Sequence, residues 1–277
     1  MHPTYLPDVN AVKDNRLKLI LQYDGSACHG WQIQPEERTV QGELEAALEQ
    51  LTSARRPVIG SGRTDRGVHA TGQVAVASLP HTWQPEKLEK ALSALLPSDI
   101  WIKSVEPASP DFHPRYDAVS RTYLYHLGLS SEARSPFHRH WCWPLAKPLD
   151  VGLLECAAGT ILGEHSFKAF RKSGQPERGD QCTIHESCWA PWEALGLTLR
   201  ITADRFLHHM VRYLVGTMVE VARGKRPLED LRRLLEEPES DLRTSPPAPP
   251  TGLFLHHVTY PDRPSGRLPS STEKVNQ

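Results

Sequence analysis

The stretch Gly60-Ser61-Gly62-Arg63-Thr64-Asp65-Arg66-Gly67-Val68-His69-Ala70-Thr71-Gly72-Gln73 constrains this chain more than any other. It follows a short apolar run, Pro57-Val58-Ile59, and precedes an alternating one, Val74-Ala75-Val76-Ala77. Four glycines in fourteen residues argue against helix or regular strand, because glycine loses the most backbone freedom on ordering. The expectation is a loop that lets backbone approach a ligand and aims side chains from a strand end. Those side chains are Arg63, Asp65, Arg66 and His69. One carboxylate among three potentially cationic groups is an arrangement that favours the ionised form. A phosphate-binding loop is a poor fit, since Gly60, Gly62 and Gly67 have the wrong spacing and no Lys-Ser/Thr follows. Spacing alone leaves two readings of Asp65: a residue with a chemical role, or the cap of a turn beside solvated arginines.

Around this loop the chain alternates between the periods of strand and helix. Leu17–Tyr23 reads as an apolar strand ended by the turn Asp24-Gly25-Ser26. Thr39 is an N-cap for a helix with Val40, Leu44, Ala47, Leu48 and Leu51 at helical spacing. Arg56–Ile59 is a short strand into the loop and Gly72–Leu79 the strand after it. Pro85 opens a helix through Leu88, Leu92 and Leu95, and Ile100–Val105 is a strand. The second half repeats this order. Thr122–Leu127 is a strand, Val151–Leu162 a helix, and Thr183–Trp189 and Leu197–Thr202 are strands. Phe206–Ala222 is a helix with a further one near Leu228–Leu235, and Gly252–Tyr260 is a closing strand. Each half has the order of a split β-α-β, ferredoxin-like unit. The expected class is therefore α+β, with two such halves forming one mainly antiparallel sheet and a central cleft. The divisions are a flexible N-terminus at 1–15, an N-terminal half with the loop at 16–115, a C-terminal half at 116–262 and a disordered tail at 263–277. Pro246-Pro247-Ala248-Pro249-Pro250 reads as a stiff connector, and the polar Arg171–Gln181 loop as a mobile surface flap.

Composition narrows the setting. A hydrophobic content of 39% over 277 residues suits one large domain or two packed ones. No apolar run approaches a membrane span. The polar start has no signal core, and five scattered cysteines fit a reducing cytoplasm. Net charge is only -1, so basic residues can favour nucleic acid only through local clusters such as Arg55, Arg56, Arg63 and Arg66.

The segment Gly62–Gln73 resembles the active-site loop of the tRNA pseudouridine synthase A (TruA) family. Tyr23-Asp24-Gly25-Ser26 with Gly30-Trp31-Gln32 agrees too, as does Phe206-Leu207-His208-His209-Met210-Val211-Arg212 with Gly216. The resemblance covers roughly Leu17 to Tyr260. It implies a two-lobed fold and conversion of uridine 38, 39 or 40 of the tRNA anticodon stem-loop to pseudouridine. It further implies a homodimer and no metal or cofactor. It makes Asp65 the catalytic aspartate and Arg212 its salt-bridge partner. Tyr123 is placed against the target base and Arg63 faces the RNA. On the residues alone, Tyr123 and Tyr125 share one face of an alternating strand, and His208 and Arg212 sit four apart on the flank of a helix.

Two other function classes are weighed. A metal enzyme would use Cys182-x2-His185-x2-Cys188 or the His208-His209 pair, but three-residue steps along a strand alternate faces and do not converge. A non-catalytic RNA-binding module would need aromatics on its sheet and no buried carboxylate.

Overall fold

The computed structural model describes residues 14–172, 179–238 and 240–261. Most of the two expected disordered ends, and the middle of the expected flap, lie outside the described residues. The chain runs β1 (Asn15–Tyr23), α1 (Val40–Thr52), β2 (Ile59–Gly60), β3 (His69–Leu79), α2 (Pro85–Leu95) and β4 (Ile100–Pro107). It continues with β5 (Ser120–Gly128), β6 (Trp143–Pro144), α3 (Val151–Thr160), β7 (Gly163–Ser166), β8 (Gln181–Trp192) and β9 (Gly196–Ala203). It ends with α4 (Met210–Ala222), α5 (Leu228–Glu236) and β10 (Leu253–Thr259). The class is α+β, as expected. Among the described residues, ten strands form one mixed sheet in the order β4-β1-β3-β10-β5-β9-β8-β7, with β2 beside β3 and β6 beside β5. No helix among them is long and apolar enough to cross a membrane.

Local chemistry explains the elements and their departures from periodicity. Thr39 caps α1 as its side chain predicts, accepting a hydrogen bond from the Gly42 N–H at 3.2 Å. Along β1 the residues Leu17, Leu19, Leu21 and Tyr23 are buried and their neighbours less so, the period of a strand with one covered face. The expected Arg56–Ile59 strand shrinks to Ile59–Gly60. Pro57 has no N–H to donate to a ladder, and the Val58 N–H is taken by the Glu45 carboxylate at 3.0 Å. Strand β3 begins at His69, inside the glycine-rich stretch. Gly72 is thus a strand residue; its glycine is required because a Cβ there would lie 2.2 Å from the His256 carbonyl oxygen of β10.

Two hydrophobic clusters fill the interior. One joins α1 and α2 to β1, β3 and β4 through residues such as Leu19, Leu44, Leu88 and Ile102. The other joins α3, α4 and α5 to β5, β8 and β9 through Leu154, Leu214, Leu231 and Leu199. Tyr123 packs against both. They meet where β3 and β10 run parallel for two residue pairs, His69 with Phe254 and Ala70 with Leu255. An aromatic ladder reinforces that seam. The His69 ring stacks on Phe254 at 4.7 Å, Phe254 meets His126 edge-on at 5.0 Å, and His126 stacks on Trp192 at 4.6 Å.

Burial lowers the affinity of this ladder for protons. Desolvation, with the nearby His69 and His256, pulls His126 down to about 4, and desolvation also lowers His69. Between the ordinary value of 6.5 and about 4, the unfolded chain binds a proton at His126 that the folded chain does not. Stability therefore falls as pH drops through that window. His126→Phe keeps the stacking and removes the proton site. Urea midpoints measured from pH 6.5 to 4 should fall less steeply for this variant than for the natural chain.

Candidate active site

The loop between β2 and β3 is held from behind by side chains and backbone of β1, β3 and the β1–α1 connection. The Tyr23 hydroxyl lies 2.8 Å from the Thr64 hydroxyl. Gln73 is fully buried; its amide donates to the Gly62 carbonyl at 2.9 Å and its oxygen accepts from the Ser61 hydroxyl at 2.7 Å. The Trp31 N–H donates to the Thr64 carbonyl at 3.0 Å. Gly30 has φ 88°, and a Cβ there would lie 2.5 Å from that same carbonyl oxygen, so glycine is needed for both reasons. The separate segments around Tyr23 and Trp31 are thus the back wall of the Asp65 loop.

A further tether comes from β5. Arg121 at the start of β5 is directed at four carbonyl oxygens, those of Ala118, Asp204, Ser61 and Arg115. It pins the loop to the β9–α4 connection. An arginine in an alternating strand reads as a solvated side chain, so this role was not legible in the sequence.

Asp65 projects from the loop toward the start of α4. Its Oδ1 lies 3.2 Å from His208 Nε2, and its Oδ2 lies 3.3 Å from His209 Nε2 and 3.5 Å from Arg212 Nη1. The Asp65 side chain is 21% exposed and Arg212 14%, so the carboxylate is partly buried but still reachable. The α4 N-terminus adds the positive end of its dipole to the same place. Asp65 therefore faces basic groups, but not the three expected from its own loop. Arg63 and Arg66 are exposed. His69 turns inward, where its Nδ1 accepts from the Gly25 N–H at 3.1 Å and lies 3.1 Å from Asp24. The reason is register: His69 is the first residue of β3 and enters the core with it.

The geometry of α4 also departs from expectation. The helix starts at Met210, so His208 precedes it and does not stack over Arg212 along a helix flank. His209 has φ 66° and ψ 2°, a left-handed conformation that cannot continue a right-handed helix. Such a conformation costs a non-glycine residue about 1–3 kcal/mol and gathers at functional positions. Here it brings both imidazoles to one carboxylate. Burial lowers the proton affinity of His209, and His208, Arg212 and Lys172 act in the same direction against the raising effect of Asp65. Arg212 is held from its far side. Its Nε donates to the Ala248 carbonyl at 2.8 Å, and its own carbonyl accepts from the Ala248 N–H at 2.9 Å. The proline-rich connector thus serves as a clamp on α4, and a Cβ on Gly216 would lie 2.1 Å from the Pro246 carbonyl oxygen beneath it.

Tyr123 on β5 borders the same site. Its ring meets Phe206 edge-on at 5.1 Å. Desolvation, then the Asp65 charge, push its phenol up to about 12, so at neutral pH it is a hydrogen-bond donor. Tyr125 is fully buried and donates to the Pro249 carbonyl at 2.9 Å. Among the described residues, Arg63 has no hydrogen bond or ion pair within the chain. The Cys182-x2-His185-x2-Cys188 trio does not gather: Cys182 is buried, with its thiol pushed to about 12 by desolvation, while His185 and Cys188 are exposed. The metal-type donors that do gather among the described residues are Asp65, His208 and His209, with one atom of each within 4.8 Å of the others.

A family model described as tRNA pseudouridine synthase matches residues 19–117 and 157–261. The chain belongs to the tRNA pseudouridine synthase family. Membership makes it an isomerase. It is 41% identical over 248 residues to the tRNA pseudouridine synthase A of Maridesulfovibrio salexigens, covering 88% of this chain and 90% of that protein. It is 42% identical over 245 residues to the enzyme of that name from Dictyoglomus thermophilum, covering 88% of this chain and 98% of that protein. For the Myxococcus xanthus enzyme the figures are 37% over 262 residues, with 95% and 98% covered. The first matched region of this family member contains the Asp65 loop, and the second contains His208, His209 and Arg212.

The loop's back wall makes a ranked prediction. Gln73→Met strips partners from the Gly62 carbonyl and the Ser61 hydroxyl and should cost roughly 2 kcal/mol or more. Tyr23→Phe removes a hydroxyl that lies 2.8 Å from the Thr64 hydroxyl and accepts a long bond from the Gln73 amide at 3.4 Å, but leaves the Gly62 and Ser61 partners in place, and should cost roughly 1 kcal/mol. Urea denaturation of the two variants checks the order.

Proposed function

We propose that this chain converts uridine to pseudouridine at positions 38, 39 or 40 of the tRNA anticodon stem-loop, with Asp65 as the catalytic carboxylate. The observation that carries the reading is the meeting of Asp65 with Arg212, His208 and His209 beside Tyr123, in a chain of this family. The reaction breaks the bond between N1 of uracil and C1′ of the ribose, turns the base and joins C5 to C1′. The proton on C5 then leaves and N1 gains one, so no redox change occurs. Asp65 supplies a carboxylate, either as nucleophile at C1′ or as base toward the sugar. Arg212 holds that carboxylate in place. Tyr123 offers a ring face for the freed base, and Arg63, exposed beside the loop, a cation for RNA phosphate.

The fold is consistent with this use. Read within each half, the strand neighbours run β4-β1-β3-β2 and β10-β5-β9-β8, which supports two split β-α-β units at 16–115 and 116–262 with a cleft at their seam. A homodimer acting on tRNA in the cytoplasm completes the proposal.

Mapping pseudouridine on unmodified tRNA transcripts tests it. The natural chain should modify only 38 to 40, and Asp65→Asn should yield no product while keeping tRNA affinity within about threefold. Product from Asp65→Asn would remove Asp65 from the chemistry. Base stacking is worth ~1–3 kcal/mol, so Tyr123→Leu should weaken binding of the anticodon stem-loop by about tenfold, and Tyr123→Phe should retain it. Equal affinity of the two variants would reject stacking on Tyr123.

A further inference from the structure

We propose that Asp65, His208 and His209 form a binding site for a borderline transition-metal ion such as Zn²⁺, and that its occupancy shuts the enzyme off. This inference rests in part on Asp65 being the catalytic carboxylate. The donors are two imidazoles and one carboxylate, a set that suits zinc. Each imidazole lies within reach of an ion held on Asp65, His208 beside one carboxylate oxygen and His209 beside the other. Zinc sits about 2.0–2.2 Å from such donors, so two of them at a tetrahedral angle lie about 3.3 Å apart. The observed separations are 3.2 Å from His208 Nε2 to Asp65 Oδ1 and 3.3 Å from His209 Nε2 to Asp65 Oδ2. All three donors lie within 4.8 Å of one another. Asp65 is 21% exposed, His208 35% and His209 16%, so an ion can enter without unfolding the site.

The backbone holds the two imidazoles in place. His209 is fixed in its left-handed conformation, and the His208 carbonyl accepts from the Lys172 N–H at 3.1 Å. Asp65 stands on the loop that Tyr23, Gln73 and Arg121 secure. Arg212 Nη1, 3.5 Å from Asp65 Oδ2, opposes a cation and limits the affinity. It also sets the selectivity. A hard ion such as Mg²⁺ wants oxygen ligands and keeps its waters, and here it would meet two nitrogens and a guanidinium. An ion on Asp65 would occupy the carboxylate oxygens and fill the space in front of them. The carboxylate would then be lost to the reaction.

The test begins with binding, which does not depend on activity. The metal-free full chain is titrated with Co²⁺, followed by its visible spectrum, and with Zn²⁺ by calorimetry. One tetrahedral-type ion per chain should bind at micromolar concentration. His208→Gln and His209→Gln should each weaken it at least tenfold, and His185→Gln, on the exposed part of β8, should not. Pseudouridine formation should then stop as Zn²⁺ fills the site, continue in Mg²⁺ alone, and return when a zinc chelator is added. Absence of binding, or binding unmoved by both histidine variants, would overturn the site. Binding with undiminished product would overturn the inhibition. An active Asp65→Asn enzyme would sink the catalytic reading but leave the Co²⁺ spectrum as an independent measure of the site.

Discussion

The contact between the Asp65 carboxylate and the start of α4 is the interaction on which the rest of this structure depends. It joins the β2–β3 loop to α4, more than a hundred residues later in the chain. Neither partner could hold the position alone. Asp65 stands on a loop with few regular backbone hydrogen bonds, and Arg212 is a long side chain that would otherwise sample many rotamers. Each is fixed from behind by its own neighbours: Asp65 through Tyr23, Gln73 and the Trp31 backbone, Arg212 through the Ala248 backbone. A partly buried ion pair is stabilising when such supports leave its members no better hydrogen-bonding geometry elsewhere. The two hydrophobic clusters meet at the β3–β10 seam. The polar supports decide that they meet with a carboxylate facing a cation.

Much of this was legible in the sequence, for identifiable physical reasons. Thr39 marked the start of α1 because a cap is a local interaction. The glycine density around Asp65 marked a loop because that backbone suits no regular element over most of its length. The strand reading from Gly72 onward agrees with β3, but the reason for that glycine, the close approach of the β10 backbone, is not a local one. The loop reading placed His69 beside Asp65, since residues four apart on a loop are near in sequence, whereas the register of β3 carries His69 into the core.

What the sequence hid was long-range. Arg121 gathers four carbonyl oxygens from three segments, and no local pattern separates such an arginine from a solvated one. His209 looked like part of a helix because the apolar spacing after it is helical; its positive φ instead places it before the first turn of α4. The proline-rich connector looked like a spacer, and its role as the backing of Arg212 emerges only when Ala248 and α4 are brought together. The outline of the site was therefore readable from one loop, and its basic half was supplied by tertiary contacts.

The central claim is that Asp65 and Arg212 are energetically joined between the β2–β3 loop and α4. A double-mutant cycle of Asp65→Asn and Arg212→Gln, with stability measured by urea denaturation, tests it most directly. Residues in direct contact couple by about 0.5–3 kcal/mol, and independent ones add to within about 0.5 kcal/mol. The account predicts a coupling of about 1 kcal/mol or more. Additive losses would mean that the two side chains merely lie near each other, and that the loop and α4 are aligned by something other than this pair.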